Sequence, residues 1–189
     1  MSRSKTKIKT SMFAVLGILA IGPQSGYDIK KLMERSTRYF WNENYGQIYP
    51  HLSALLDNQD VTMHIEKQDG KPDRKVYTIT DKGKKSLEDW LRTPLKLSIM
   101  EQKNELLLRL FFGQHASPET NIQHLKSLKE QLQDQLFVLE TMEDEIRSCH
   151  PDDPNLTYWL ITINYGKLQS KALIEWCEDS IQLLNGSAE

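Results

Sequence analysis

The residues from Asn42 to Thr80 constrain this chain most. Helical apolar spacing runs from Asn44 to Asn58, and two alternating runs follow, Val61–Lys67 and Arg74–Ile79. Asp69-Gly70 lies between those runs, and Asp-Gly favours the turn that closes a tight hairpin. Lys67, Lys71, Arg74 and Lys75 gather near its tip. A helix followed by a basic two-stranded ribbon predicts a winged helix-turn-helix, a unit that places one helix in a DNA groove and the wing along the backbone.

The preceding residues complete such a unit. Met12, Val15, Leu16 and Leu19 recur at three- and four-residue steps, which predicts a buried helix over Ser11–Ala20, broken by Gly22-Pro23. Ser25 is a good N-cap for a second helix running to about Thr37. Asp28 stands three residues on, where a capping box needs an acceptor. Ile29, Leu32 and Met33 face inward and Lys30, Lys31 and Arg35 outward. Tyr39-Phe40-Trp41 is expected to plug the core. Asn42 or Asn44 caps the third helix, and Asn58 is expected to end it in the left-handed conformation. Within the hairpin Val61, Met63 and Ile65 alternate with Thr62, His64 and Glu66. Thr80 or Asp81 caps a fourth helix to about Leu91, and Pro94 closes the unit.

Charge sets the two halves apart. The chain's net charge is −2, which alone argues against nucleic acid. Residues 1–93, however, hold 16 Lys+Arg against 11 Asp+Glu, whereas residues 94–189 hold 8 against 15. The expected organisation is a DNA-binding domain over 1–93, with 1–10 as a basic arm, and a helical dimerisation domain over 94–189. The fold class is mainly α with a small β-hairpin.

Helical stretches are expected over Glu101–Phe112, Glu119–Ser148 and Asn155–Asn185. In the second, Ile122, Leu125, Leu132, Leu136, Leu139 and Ile146 form a heptad-like stripe, with Lys129 and Glu143 in its two gaps. The third carries two stripes: Trp159, Ile163, Leu173, Cys177, Ile181 and Leu184 on one side, and Tyr158, Ile161, Tyr165, Leu168, Ala172 and Trp176 on the other. A helix apolar on two sides must be covered twice, once within the chain and once by another subunit. Leu125, Leu132, Leu136, Leu139, Trp159, Ile163, Leu173 and Ile181 are the expected dimer contacts. A pocket lined by Trp159, Tyr165 and Trp176 is a competing use of the aromatics.

On the third helix a turn of 100° per residue sets Gly46, Gln47, Pro50, Ser53, Ala54 and Asp57 opposite the buried Ile48, Leu52, Leu55 and Leu56. Base reading is expected from Gln47 and Ser53, with Pro50 and Ala54 against thymine methyls, and phosphate contacts from Tyr49 and His51. Ser25, Tyr27, Asn44 and Tyr45 extend this surface, and Lys71, Arg74 and Lys75 grip the backbone. Pro50 lacks the N–H that a mid-helix position would bond, so the second turn is expected to loosen.

Enzyme chemistry is not indicated. The sequence has no Gly-rich phosphate loop, nucleophile elbow or metal cluster, and its five histidines are scattered. Cys149 and Cys177 give neither a disulfide framework nor a CxxC pair, so no metal or cofactor is expected. Met12–Ile21 is too short to span a membrane, which with reduced cysteines points to the cytoplasm.

Four segments carry a resemblance: Met12–Ala20, Gly26-Tyr27-Asp28-Ile29, Gly46-Gln47-Ile48-Tyr49-Pro50-His51-Leu52 and Arg74-Lys75-Val76-Tyr77-Thr78-Ile79-Thr80-Asp81-Lys82-Gly83. Together they resemble the PadR transcriptional regulators, and the long helical half is similar to the branch that includes the virulence activator AphA. The resemblance implies a homodimer whose C-terminal helices clasp the partner, two winged domains on a palindromic operator, and most often repression. It also implies a possible small-molecule effector such as a phenolic acid. The chain departs at Asn58-Gln59, where the family usually has glycine. A winged-helix scaffold that docks protein is the alternative from another class.

Overall fold

The computed structural model describes residues 2–41, 45–67, 73–94 and 104–186, without the side chains of 2–9, Tyr39 and Tyr45. It divides into two compact units, Met1–Leu97 and Ser98–Glu189. The expected Asp69-Gly70 turn and the caps Asn42 and Asn44 lie outside the described residues.

In the first unit, α1 (Ser2–Ile21) precedes a short strand β1 (Gln24–Ser25) and α2 (Gly26–Arg35). Next come α3 (Ile48–Asp57), β2 (Val61–Glu66), β3 (Arg74–Ile79) and α4 (Asp81–Arg92). The residues expected to form a loose basic arm are helical, since nothing between Ser2 and Thr10 breaks a helix already fixed by its buried continuation. Val15, Leu16, Ile18 and Leu19 of α1 meet Ile29 and Met33 of α2, Ile48, Leu52 and Leu55 of α3, and Val61 and Tyr77 of the sheet. Each such side chain contributes about 1.5–3 kcal/mol on full burial. Phe13 stacks on Trp90 with ring centroids 4.8 Å apart, seating α4 on α1.

Periodicity reveals the hairpin but not its third strand. β3 is central, in the order β1-β3-β2, with Val61 opposite Ile79, Glu66 opposite Arg74 and Ser25 opposite Val76. Two residues after Pro23 are too short a run to show alternation. The wing also outruns its core: Val61 is buried, but Met63 and Ile65 on the same face are exposed. Trp41 packs against the core, whereas Phe40 of the expected plug is exposed.

α3 ends differently from expectation. Asn58 is right-handed, and Gln59 takes the left-handed conformation at φ 59°. Asp60 N donates to Leu55 O at 2.9 Å and Gln59 N to Leu56 O at 2.8 Å, the paired closure of a Schellman motif. The Asp60 carboxylate then accepts from Ser86 Oγ at 3.0 Å, and its carbonyl accepts from Thr80 N at 3.0 Å. Thr80 caps α4 by accepting from Gly83 N at 3.0 Å.

The second unit holds α5 (Glu105–Phe111) and two long antiparallel helices, α6 (Pro118–Cys149) and α7 (Leu156–Gly186). Ser117 caps α6 and Pro118 occupies its first turn, where a missing N–H costs nothing. Leu125, Leu132 and Leu139 of α6 are buried, as are Ile163, Gly166, Ser170 and Cys177 of α7. The two polar gaps in the stripe are closed across the helix pair. Lys129 Nζ lies 2.7 Å from Glu178, and Glu143 lies 2.6 Å from Lys167 Nζ.

This corrects the expected dimer contacts. Leu125, Leu132, Leu139 and Ile163 are already buried within one chain, and Leu136, Trp159 and Ile181 are half-buried. Leu173, at 37% exposure, is the most open of the eight. The outer face of α7 (Tyr158, Ile161, Tyr165 and Leu168) is left uncovered.

Candidate nucleic-acid interface

A 3-10 turn over Tyr45–Gln47 leads into α3. Gln47 is the residue before the helix, so Pro50 falls in its first turn, where backbone N–H groups have no helical partner. The expected loosening of the second turn is therefore absent, and Pro50 instead stiffens the entry. The Gln47 side chain makes no capping bond and is exposed. Tyr49 is 61% exposed, and Pro50 and Ser53 are exposed beside it. This face is exposed and almost uncharged.

Tyr49 is seated by close approach. A Cβ at Gly26 would stand 2.7 Å from its ring, so glycine lets the start of α2 lie against that ring where it stands. The Tyr77 hydroxyl is held above its ordinary pKa by burial first and by nearby Tyr49 second. On α2, Tyr27 is exposed and Lys31 lies over its ring, 4.8 Å from the centroid. Lys31 was not among the expected contacts, although Tyr27 and Lys31 stand one helical turn apart, the spacing at which such pairs meet. Lys75 is exposed on β3.

Three expected contacts are placed otherwise. His51 is 3% exposed: it falls one residue before Leu52 and turns into the core with Ile48 and Leu55, so it offers nothing to phosphate. Ser25 is buried, and its hydroxyl is spent on the capping box, donating to Asp28 Oδ2 at 2.5 Å and accepting from Asp28 N at 3.3 Å. Arg74 is committed to acidic neighbours: it donates to Asp28 Oδ2 and lies 3.8 Å from Glu66 Oε2. Asn44, Lys71 and the side chain of Tyr45 lie outside the described residues.

Burial alone would raise the Asp28 carboxyl, but the bonds from Ser25 and Arg74 outweigh it and hold the group below the usual carboxylate range. Among the described residues no group of His, Cys, Asp and Glu has the makings of a metal site, and no helix is long and apolar enough to cross a membrane.

The proposed aromatic pocket does not form on α7. Trp159 and Trp176 are seventeen positions apart on one helix, about 25 Å along its axis. Trp159 meets His150 edge to face, Trp176 packs on the Leu125–Cys177 core, and Tyr165 is exposed between them.

The chain matches the transcriptional regulator PadR-like family over residues 15–89 and the virulence activator alpha C-terminal family over residues 102–185. The negative transcriptional regulator PadR of Bacillus subtilis (strain 168) is 28% identical over 179 residues, covering 92% of this chain and 96% of that protein. The crystal structure of Bacillus subtilis PadR in complex with operator DNA is 26% identical, with a TM-score of 0.81 over 93% of this chain and 99% of that one. The structure of the same regulator with p-coumaric acid is 26% identical, with a TM-score of 0.73 over 92% and 97%.

Proposed function

We propose that the chain is a PadR-like transcriptional regulator and not an enzyme, a cytoplasmic repressor that binds a palindromic operator as a homodimer. The observation that carries this reading is the exposed, uncharged face of α3, Gln47 with Pro50 and Ser53, flanked by Tyr27, Tyr49, Lys31 and Lys75. A helix with small polar and apolar side chains approaches base edges closely. Gln47 offers a carboxamide N–H donor for adenine N7 and a carbonyl acceptor for its N6–H, and Pro50 suits a thymine methyl. Cations on neighbouring elements supply affinity without sequence preference. Repression is supported by the negative regulator among its relatives.

Two copies would place two such helices on one face of the duplex, and half-site spacing follows from their separation. The uncovered apolar face of α7 supports pairing. The relative crystallised with p-coumaric acid makes phenolic acids the first effectors to test against this chain.

Selection of bound fragments from random duplex DNA tests the reading. The expected product is an inverted repeat, bound with an affinity that falls steeply with salt. A Gln47→Ala variant is expected to lose preference at one position per half-site, worth about 1–3 kcal/mol, with little change in salt slope. A salt slope near zero would overturn the regulator, and unchanged base preference in Gln47→Ala would overturn the assignment of Gln47.

A further inference from the structure

We propose that Arg74 is a positioning residue, which fixes the wing against the start of α2 and so sets DNA affinity without giving its charge to phosphate. This rests on the DNA-binding reading of the first unit. In the sequence Arg74 stands among lysines at the wing and reads as one more backbone contact. In the structure it links its own strand to two other elements, α2 and β2. Its guanidinium donates to Asp28 at the start of α2 and lies 3.8 Å from Glu66, its cross-strand neighbour on β2. Asp28 also accepts from the Ser25 backbone N–H at 3.1 Å, at the junction of β1 and α2. Glu66 in turn lies 3.4 Å from His64.

The placement follows from register. Ser25 pairs with Val76, and Arg74 lies two residues further along β3 on the same face, so its side chain reaches the first turn of α2. A planar guanidinium suits this role better than an ammonium, because its fork engages two carboxylates at fixed angles. The pair is part-exposed, with 37% of the Arg74 and 30% of the Asp28 side chain open, so its contribution to folding is small. Its leverage is geometric. α2 carries Tyr27 and Lys31, and Gly26 abuts Tyr49 of α3. Arg74 therefore ties the wing to the helix that seats the recognition face.

The two roles for Arg74 predict opposite signs for one substitution. Asp28→Asn keeps an oxygen acceptor for the Ser25 cap but removes the charge that holds Arg74. If Arg74 bound phosphate, freeing it and deleting a nearby negative charge would tighten binding. If Arg74 positions the wing, Asp28→Asn weakens binding.

The experiment measures affinity against salt for the full-length protein and a duplex it selects from a random pool. Asp28→Asn and Arg74→Gln are each expected to weaken binding about tenfold, the loss of one charge-assisted bond, and to keep the wild-type salt slope. Their double variant is expected to be no weaker than either. Arg74→Lys covers the case in which Arg74→Gln does not fold: it retains the charge but loses the fork, and is expected to weaken binding with the slope unchanged. The proposal is overturned if Asp28→Asn binds as tightly as wild type or tighter, if Arg74→Gln lowers the slope by about one, or if Arg74→Lys binds like wild type. A wild-type protein with no salt-dependent binding would overturn the DNA-binding reading itself, and this proposal with it.

Discussion

At Gly83 a Cβ would stand 2.1 Å from the Asp60 carbonyl oxygen and 2.9 Å from Ile79 Cγ1. The first obstacle is backbone, held in place by bonds from Thr80 and by the Schellman closure of α3, so it has nowhere to retreat. Gly83→Ala is therefore expected to lower stability by about 3 kcal/mol, despite the better helix propensity of alanine. Chemical denaturation of the two proteins measures this, and a stabilised variant would show that α4 shifts freely on Asp60. The position is a fair measure of what a sequence discloses. Thr80 as a cap was legible, since its signature is local. The reason for a glycine three residues later was not, because its obstacle comes from Asp60, distant in the chain. His51 was misplaced for a related cause. An ideal 100° turn leaves it flanking the stripe, and only the packed neighbours decide that it goes inward. Gln59 shows the limit of composition rules: a Schellman closure is met here without glycine or asparagine at its left-handed position.

Among the elements, the α6–α7 pair reads most directly as chemistry. Lys129 and Glu143 interrupt an apolar seam, and both interruptions were visible in the sequence. What was not visible is that they answer Glu178 and Lys167 of the same chain, since a heptad pattern does not say which helix it faces. Glu143 accepts from Lys167 and from Arg147 at 2.7 Å, and these bonds hold its carboxyl below its ordinary range against the opposing effect of burial. The folded pKa thus lies under the unfolded value of about 4.3. The contribution is complete above that pH and is lost as pH falls through the folded value. Acidification from pH 6 to pH 3 is expected to lower hydrogen-exchange protection, measured against the intrinsic rate at each pH, around Glu143 near the end of α6 and Lys167 in the first half of α7. Glu143→Gln is expected to show faster exchange already at pH 6 and a smaller change on acidification. An identical acid response in the variant would remove Glu143 from the account. Leu125, Leu132 and Leu139 are buried and carry no titratable group, so the helices should stay paired while the Glu143–Lys167 rung opens.

For the whole molecule, the unresolved demand is the outer face of α7. Tyr158, Ile161, Tyr165 and Leu168 follow one another at steps of three and four, each more than half exposed, in a stripe about 15 Å long. Monomeric proteins rarely leave so continuous an apolar face in water. The two stripes of α7 were legible. Assigning each stripe to its cover was not, because both are apolar and only the packed structure shows that α6 lies on the Ile163–Cys177 side. If the outer stripe holds the dimer, a charge at its centre should split the dimer and spare the protomer. Ile161→Glu with Leu168→Glu is expected to sediment as a monomer with unchanged helix content, since neither side chain contributes to the buried seam. The same variant should bind the selected duplex about 10²-fold or more weakly, because a second half-site then adds nothing once the link between copies is gone. A single half-site should be bound equally well by variant and wild type, which separates lost pairing from a damaged reading helix. A variant that stays dimeric would move the interface to other exposed apolar residues of this unit, of which Phe111, Phe112 and Phe137 are the largest.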